Sequence, residues 1–255
     1  MFVDSDDYIE SNMVEKMLNT INKEKADVVR CTNFLENQDG EILKIEDFSI
    51  RNKLLTKQEI NEEIISKIID GELLSYACVL MIRRETIFKT NLFNEKLRFL
   101  EDKAFFIDLI LVTEKIYFLD IPLYHYMINE KSLTKSKKLV TRNMYNLIDG
   151  WNYTRGCLEK SRFSSSNILT KLNTRYLIGI TGFLYETYKY NKVEFEKAYH
   201  DLINNENFKS IITDFNIQQF GIHIKISINL IIKHHYRLLR IFYFIRKMLT
   251  KNREK

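Results

Sequence analysis

The chain has 255 residues, 45% of them hydrophobic and 29% charged, with one proline, seven glycines, three cysteines and a net charge of +5. A chain of this length buries about 70–75% of its unfolded surface. The balance excludes wholesale disorder and collagen-like or linker-type chains, and so few glycines argue against most all-β folds. Cys31, Cys78 and Cys157 form no CxxC pair, so no zinc site or disulfide framework is indicated and a reducing compartment is expected. The acidic start carries no apolar signal-peptide core. No run of about 18–20 uncharged apolar residues is present to span a membrane.

The first pattern is FVDSDDY, residues 2–8. Asp4 and Asp6 stand two apart, so an extended chain points both to one side. Two hard oxygen donors there suit Mg²⁺ or Mn²⁺, a metal usually completed by substrate phosphates. The plainer alternative is a capped, solvated turn before a helix from Ile9. An EF-hand loop would need glycine where Ile9 stands. A phosphatase of the haloacid-dehalogenase kind would want Thr or Val where Tyr8 stands.

Residues 26–31 (ADVVRC) read as a buried strand. Thr56 and Glu59 form a capping box that opens a helix with Ile60, Ile64, Ile65 and Ile68 on one face, and Gly71 ends it. Residues 78–82 (CVLMI) read as a strand, 101–115 as a helix with Phe105, Phe106, Leu109 and Ile110 inward, and 116–119 as a strand followed by Pro122. Glu101 and Asp102 open that helix, either as plain first-turn carboxylates or as a source of a general base. The alternation predicts an α/β layer structure.

From about residue 138 the pattern becomes helical. Helices are expected over 141–160, 166–190, 193–205 and 222–251, with Ser164-Ser165-Ser166 as a helix entry. The division expected is therefore residues 1–138 and 139–255. From Lys233 to Lys255 eight basic residues face one acid, Glu254, so the basicity belongs to the tail. Between the charges lie Leu238, Leu239, Ile241, Phe242, Phe244, Ile245, Met248 and Leu249. Such a helix reads as interfacial, lying on an anionic cytoplasmic membrane surface, or as a terminal helix docked on the core; nucleic acid is the weakest partner.

Taken in order, FVDSDDYIE, ADVV, LMIRRETI, LRFLEDKAFF and KIYFLDIPLYHYMINEKSLTKS resemble glycosyltransferase family 2, in particular bacterial enzymes that build capsule, lipopolysaccharide or teichoic-type glycans. The resemblance covers residues 1–136. It implies a partial GT-A, Rossmann-like sheet followed by an all-helical region. It also implies a divalent metal and a nucleotide-diphosphate sugar donor such as a UDP-sugar, with a glycan or lipid-linked acceptor. Asp4 and Asp6 match the DxD pair that holds Mg²⁺ or Mn²⁺ on the donor diphosphate, and Asp7 a neighbouring acid. Asp102 matches the base of the Glu-Asp motif, with Glu101 at the acceptor side. Tyr124, His125, Tyr126, Asn129 and Ser132 match the segment that closes the site, with His125 either reaching the metal or diphosphate or packed as a strand histidine. The chain departs from the family at Val79-Leu80 and at Met127, where Asn-Lys and a basic residue are common.

In that family the DxD lies in the middle of the GT-A domain. The resemblance therefore predicts the C-terminal portion of an inverting, metal-dependent transferase for cell-surface polysaccharide. The alternative is a non-catalytic remnant or interaction module. A sheet without its first strands would expose an edge and invite a homodimer or a partner chain. The expected place is the inner face of the cell membrane.

Overall fold

The computed structural model describes residues 1–97, 100–128, 140–161 and 165–251. Asn129, Ser132, Ser164 and the expected boundary near residue 138 lie outside them. The chain divides into two compact units, Met1–Lys135 with Lys160–Phe163, and Ser136–Glu159 with Ser164–Lys255.

The first unit runs β1 (Tyr8–Ile9), α1 (Met13–Lys23), β2 (Val28–Glu36), β3 (Ile42–Ile45), β4 (Lys53–Thr56), α2 (Lys57–Glu59), a π turn (Ile60–Ile64), α3 (Ile65–Asp70), β5 (Leu80–Ile82), α4 (Arg84–Ile87), α5 (Glu101–Val112) and β6 (Lys115–Met127). Two long strands, β2 and β6, pair in parallel from Val28↔Ile116 to Glu36↔Met127. Val28, Val29, Cys31, Ile116, Phe118, Leu123 and Tyr124 are buried along them, as a parallel pair covered on both faces requires, and the polar Arg30, Thr32 and Asn33 are buried among them on β2. Each long strand carries two short antiparallel neighbours on its outer side. Beside β6 stand β4 (Leu55↔Ile116) and β1 (Tyr8↔His125). Beside β2 stand β5 (Val29↔Met81) and β3 (Phe34↔Ile45).

The last strand is longer than the sequence predicts. It runs through Pro122, because the pairing with β2 slips around Thr32 and absorbs the missing N–H there. Two short strands carry no periodic signal, since β1 has two residues and all four residues of β3 are exposed. The capping box is present: the Thr56 amide and hydroxyl both donate to Glu59 Oε2, at 2.9 and 3.0 Å. The same helix ends at Gly71 with φ +76°, where Gly71 N reaches Ile68 O and Glu72 N reaches Lys67 O. Ile60, Ile64, Ile65 and Ile68 are buried. So are Phe105, Phe106, Leu109 and Ile110 on α5. That helix stops three residues short of expectation, at Val112. The Thr113 hydroxyl turns back to Leu109 O, and Asp27 Oδ2 takes the Glu114 and Lys115 amides into the start of β6.

The second unit is helical: α6 (Val140–Lys160), α7 (Ser166–Tyr190), α8 (Lys192–Asn204), α9 (Glu206–Ile211), a 3₁₀ turn (Ile217–Gln219), α10 (Ile222–Ile232) and α11 (Tyr236–Lys251). Ser165, Asn191 and Asn205 cap α7, α8 and α9 by accepting backbone N–H bonds. Trp151 donates from Nε1 to Asn173 Oδ1 at 2.8 Å, joining α6 to α7. The helix expected over 222–251 is two helices. His234 takes φ +55°, with His234 N on Ile231 O and His235 N on Leu230 O. This is a Schellman ending without its usual glycine, so no glycine marked it in the sequence. No helix among the described residues is long and apolar enough to cross a membrane.

Candidate active site

The parallel strands β2 and β6 end on the same edge of the sheet, where open α/β sheets receive ligands. The acidic loop is fastened to that edge from the far end of the first unit. Asp7 N closes a turn on Asp4 O at 3.2 Å. Asp4 N donates to the Tyr124 hydroxyl at 3.1 Å, and that hydroxyl donates to Asp7 Oδ2 at 2.7 Å. Met127 N donates to Asp7 Oδ1 at 2.9 Å. Both Asp7 oxygens thus shape the loop, whereas the Asp4 and Asp6 side chains stand at the surface. Partial burial and then the charges of Asp7, Asp6 and Glu101 push the Asp4 carboxyl up.

Asp102 enters the same field from the first turn of α5. The Ala77 amide donates to it, while burial, then Glu101, then Asp4, push its carboxyl up to about 6. Between the two acidic segments lies Cys78, a buried thiol pushed up to about 12 by burial and reached by the Tyr124 hydroxyl. Tyr126 stacks on Tyr76 with ring centres 5.5 Å apart, and Asp7, Asp4 and Asp6 add to the burial that pushes the Tyr126 hydroxyl up. Sequence reading missed Tyr76, Cys78 and the Ala77 amide. Nothing in their local pattern marks them, because only the fold brings residues 76–78 beside residues 4–7 and 102.

Successive side chains of a strand point to opposite faces, and this separates His125 from Tyr124 and Tyr126. His125 lies stacked between Tyr8, at 4.1 Å between ring centres, and Phe34, at 4.6 Å. Its Nδ1 meets Glu36 Oε2 at 2.8 Å and its Nε2 meets Glu10 Oε1 at 3.1 Å. The Tyr8 hydroxyl donates to the same Glu36 oxygen at 2.6 Å. The Tyr8 hydroxyl, then His125, hold the Glu36 carboxyl below its usual range. The structure thus brings Asp4, Asp6, Asp7, Glu101 and Asp102 into one electrostatic cluster and engages both ring nitrogens of His125 with protein carboxylates.

Among the described residues no group of three or more His, Cys, Asp or Glu side chains is arranged to hold a metal ion. The donor set still fits a hard divalent cation in one respect. Asp4 and Asp6 offer surface carboxylates whose mutual repulsion a cation would relieve, and Mg²⁺ commonly takes one or two carboxylates and completes its shell with phosphate and water.

No family model matches the chain. It is 30% identical over 135 residues to the uncharacterized glycosyltransferase EpsJ of Bacillus subtilis (strain 168), a stretch covering 52% of this chain and 39% of that protein. The chain thus spans well under half the length of that relative. Crystal structures of S. aureus TarS 1-349 in complex with UDP and with UDP-GlcNAc match over 97% of this chain and 66–67% of theirs. Their TM-scores are 0.57 and 0.56, at 13% and 14% identity. A structure of the same TarS segment without a named ligand matches with a TM-score of 0.56. The chain is therefore homologous over 135 residues to a glycosyltransferase and shares the α/β fold of TarS.

Proposed function

We propose that this chain is the part of a family 2, GT-A-type glycosyltransferase that holds the donor diphosphate and activates the acceptor. The observation that carries the reading is the meeting of the Asp4–Asp6 loop with Asp102 at the C-terminal edge of the parallel strands, in a chain with a glycosyltransferase relative. The donor is a nucleotide-diphosphate sugar, and the UDP-GlcNAc complex of the structural neighbour TarS supports a UDP-sugar in the first instance. The acceptor is a glycan or lipid-linked hydroxyl of cell-surface polysaccharide.

Asp102 is the base. Held by the Ala77 amide, with its carboxyl pushed up to about 6 by burial, it takes the proton of the acceptor hydroxyl. That oxygen attacks the anomeric carbon from the face opposite the diphosphate, and the bond to the diphosphate breaks with inversion. Asp4 and Asp6 would hold Mg²⁺ or Mn²⁺, which would offset the charge of the departing diphosphate. Asp7 and Tyr124 keep the loop in shape. His125, with Glu36 and Glu10, braces β1 against β6 and β2 and so positions the donor side rather than touching it. Tyr76 and Tyr126 offer an aromatic surface beside the cluster.

A thermal-shift titration with UDP and Mn²⁺, beside Asp6→Asn, tests the reading. A ligand that binds only the folded chain at 100 times its Kd adds about 2.7 kcal/mol of stability. The expected result is a metal-dependent shift that Asp6→Asn removes while leaving the unliganded melt in place. The second reading is a non-catalytic remnant or interaction module of such an enzyme. Absence of a shift with UDP and with every other nucleoside diphosphate would decide for the remnant.

A further inference from the structure

The last helix of the second unit shows two different apolar faces. Leu239 and Tyr243 on α11 are fully buried, and Tyr243 packs against Tyr185 with ring centres 5.1 Å apart. On the other side Leu238, Ile241, Ile245, Met248 and Leu249 recur at helical spacing, with Phe244 beside them, and each is 51–58% exposed. Six large apolar side chains in one exposed strip exceed the scattered surface residues of an ordinary soluble helix. The same helix carries five basic residues, Arg237, Arg240, Arg246, Lys247 and Lys251, and no acid. Lys233, His234 and His235 just before it are exposed as well. Three of the cations are spent inside the unit: Arg246 lies 3.9 Å over the Tyr185 ring, Arg240 lies 5.6 Å over the Tyr236 ring, and Lys247 donates to Lys189 O at 2.9 Å. Lys233 and Arg237 are exposed, and the helical turn sets Arg237 beside the strip.

We infer that this face of α11 docks on an anionic phospholipid bilayer, lying in the plane of the headgroups. The charge decides the occupant. A second copy of the same strip would bring two sets of cations together, whereas a surface of phosphatidylglycerol complements the basic border and accepts the apolar strip. The helix binds by one side and folds by the other, so docking needs no unfolding of Leu239 or Tyr243. The inference rests on the second unit alone and stands or falls apart from the transferase reading.

The test is sedimentation of the full chain with vesicles of phosphatidylcholine, with and without phosphatidylglycerol. Truncating the helix would remove Leu239 and Tyr243 from the core, so exposed residues are replaced instead. One variant is Ile241→Gln with Ile245→Gln and Leu249→Gln; the other is Lys233→Gln with Arg237→Gln. Circular dichroism confirms that both remain folded. Binding to phosphatidylglycerol vesicles is expected, at least tenfold stronger than to phosphatidylcholine alone. The basic variant should bind about 30-fold more weakly, roughly fivefold for each cation removed, and the apolar variant more weakly still. No vesicle binding, or binding that neither variant weakens, would overturn the inference. So would self-association in lipid-free sedimentation velocity that the apolar variant abolishes while vesicles go unbound, since the partner would then be a second copy.

Discussion

Replacing Asp102 by asparagine is expected to make the first unit more stable while abolishing transfer. The variant keeps the shape of the side chain and an oxygen for the Ala77 amide, and it removes one confined negative charge. Burial, Glu101 and Asp4 push that carboxyl from 3.8 to about 6. Across this range the folded chain holds a proton that the unfolded chain has released, so stability falls as pH rises. The penalty is absent below about pH 4 and complete above about pH 6. At about 1.4 kcal/mol for each pH unit, a rise of about two units amounts to about 3 kcal/mol. Because the carboxylate is partly open to solvent, about 1.5–3 kcal/mol is the gain expected near pH 7.5. The only tryptophan, Trp151, belongs to the second unit, so hydrogen exchange of the α5 amides is the better probe of the first. It should be run with a chelator, which keeps metal from masking the repulsion. The protection of Asp102→Asn should equal that of the unaltered chain near pH 4 and exceed it near pH 7.5. Equal protection at both values, or a gap indifferent to pH, would refute the electrostatic account of this carboxyl.

Other expectations are narrower. Tyr124→Phe leaves Asp4 N and Asp7 Oδ2 without their shared hydroxyl. It should cost about 1–3 kcal/mol and weaken UDP–Mn²⁺ binding, both readable by thermal shift. Glu46→Ala strands the fully buried Arg30, whose Nη2 lies 2.7 Å from Glu46 Oε1; urea unfolding should show a loss of about 3–5 kcal/mol. Glu36 has the opposite sign to Asp102. Its carboxyl sits below its usual value of 4.5, so it supports the fold above that pH and loses the support on acidification, and Glu36→Gln should flatten the acid limb of a pH–stability curve. In α7, a Cβ at Gly182 meets nothing within 4 Å, whereas one at Gly179 would stand 2.6 Å from Leu147 Cδ2. Gly182→Ala should therefore add about 0.8–1 kcal/mol in denaturant unfolding, and Gly179→Ala less.

What the sequence disclosed was local. The Thr56–Glu59 box, the Gly71 stop and the span of α7 are written within a few residues of where they act, and so are the Asp4–Asp6 and Glu101–Asp102 pairs. What it withheld was long-range or unmarked. The two residues of β1 are strand only because β6 pairs with them, and the four of β3 alternate nothing. His234 enters the left-handed region without a glycine to announce it. The side of β6 that His125 faces depends on register, which a one-residue slip would reverse. Asp7 looks in sequence like one more acid on the donor side; its commitment to Tyr124 and Met127 is set 117 and 120 residues further on.

That fastening also orders events in time. The loop that carries Asp4 and Asp6 is made well before β6, yet the hydroxyl and the amide that shape it are on that last strand of the first unit. Closing so wide a loop is slow relative to forming local turns. During synthesis the acidic segment therefore waits, unshaped, until β6 has left the ribosome and paired with β2. A nascent chain stalled before Tyr124 would carry every carboxylate of the cluster without the Tyr124 and Met127 bonds that shape its loop.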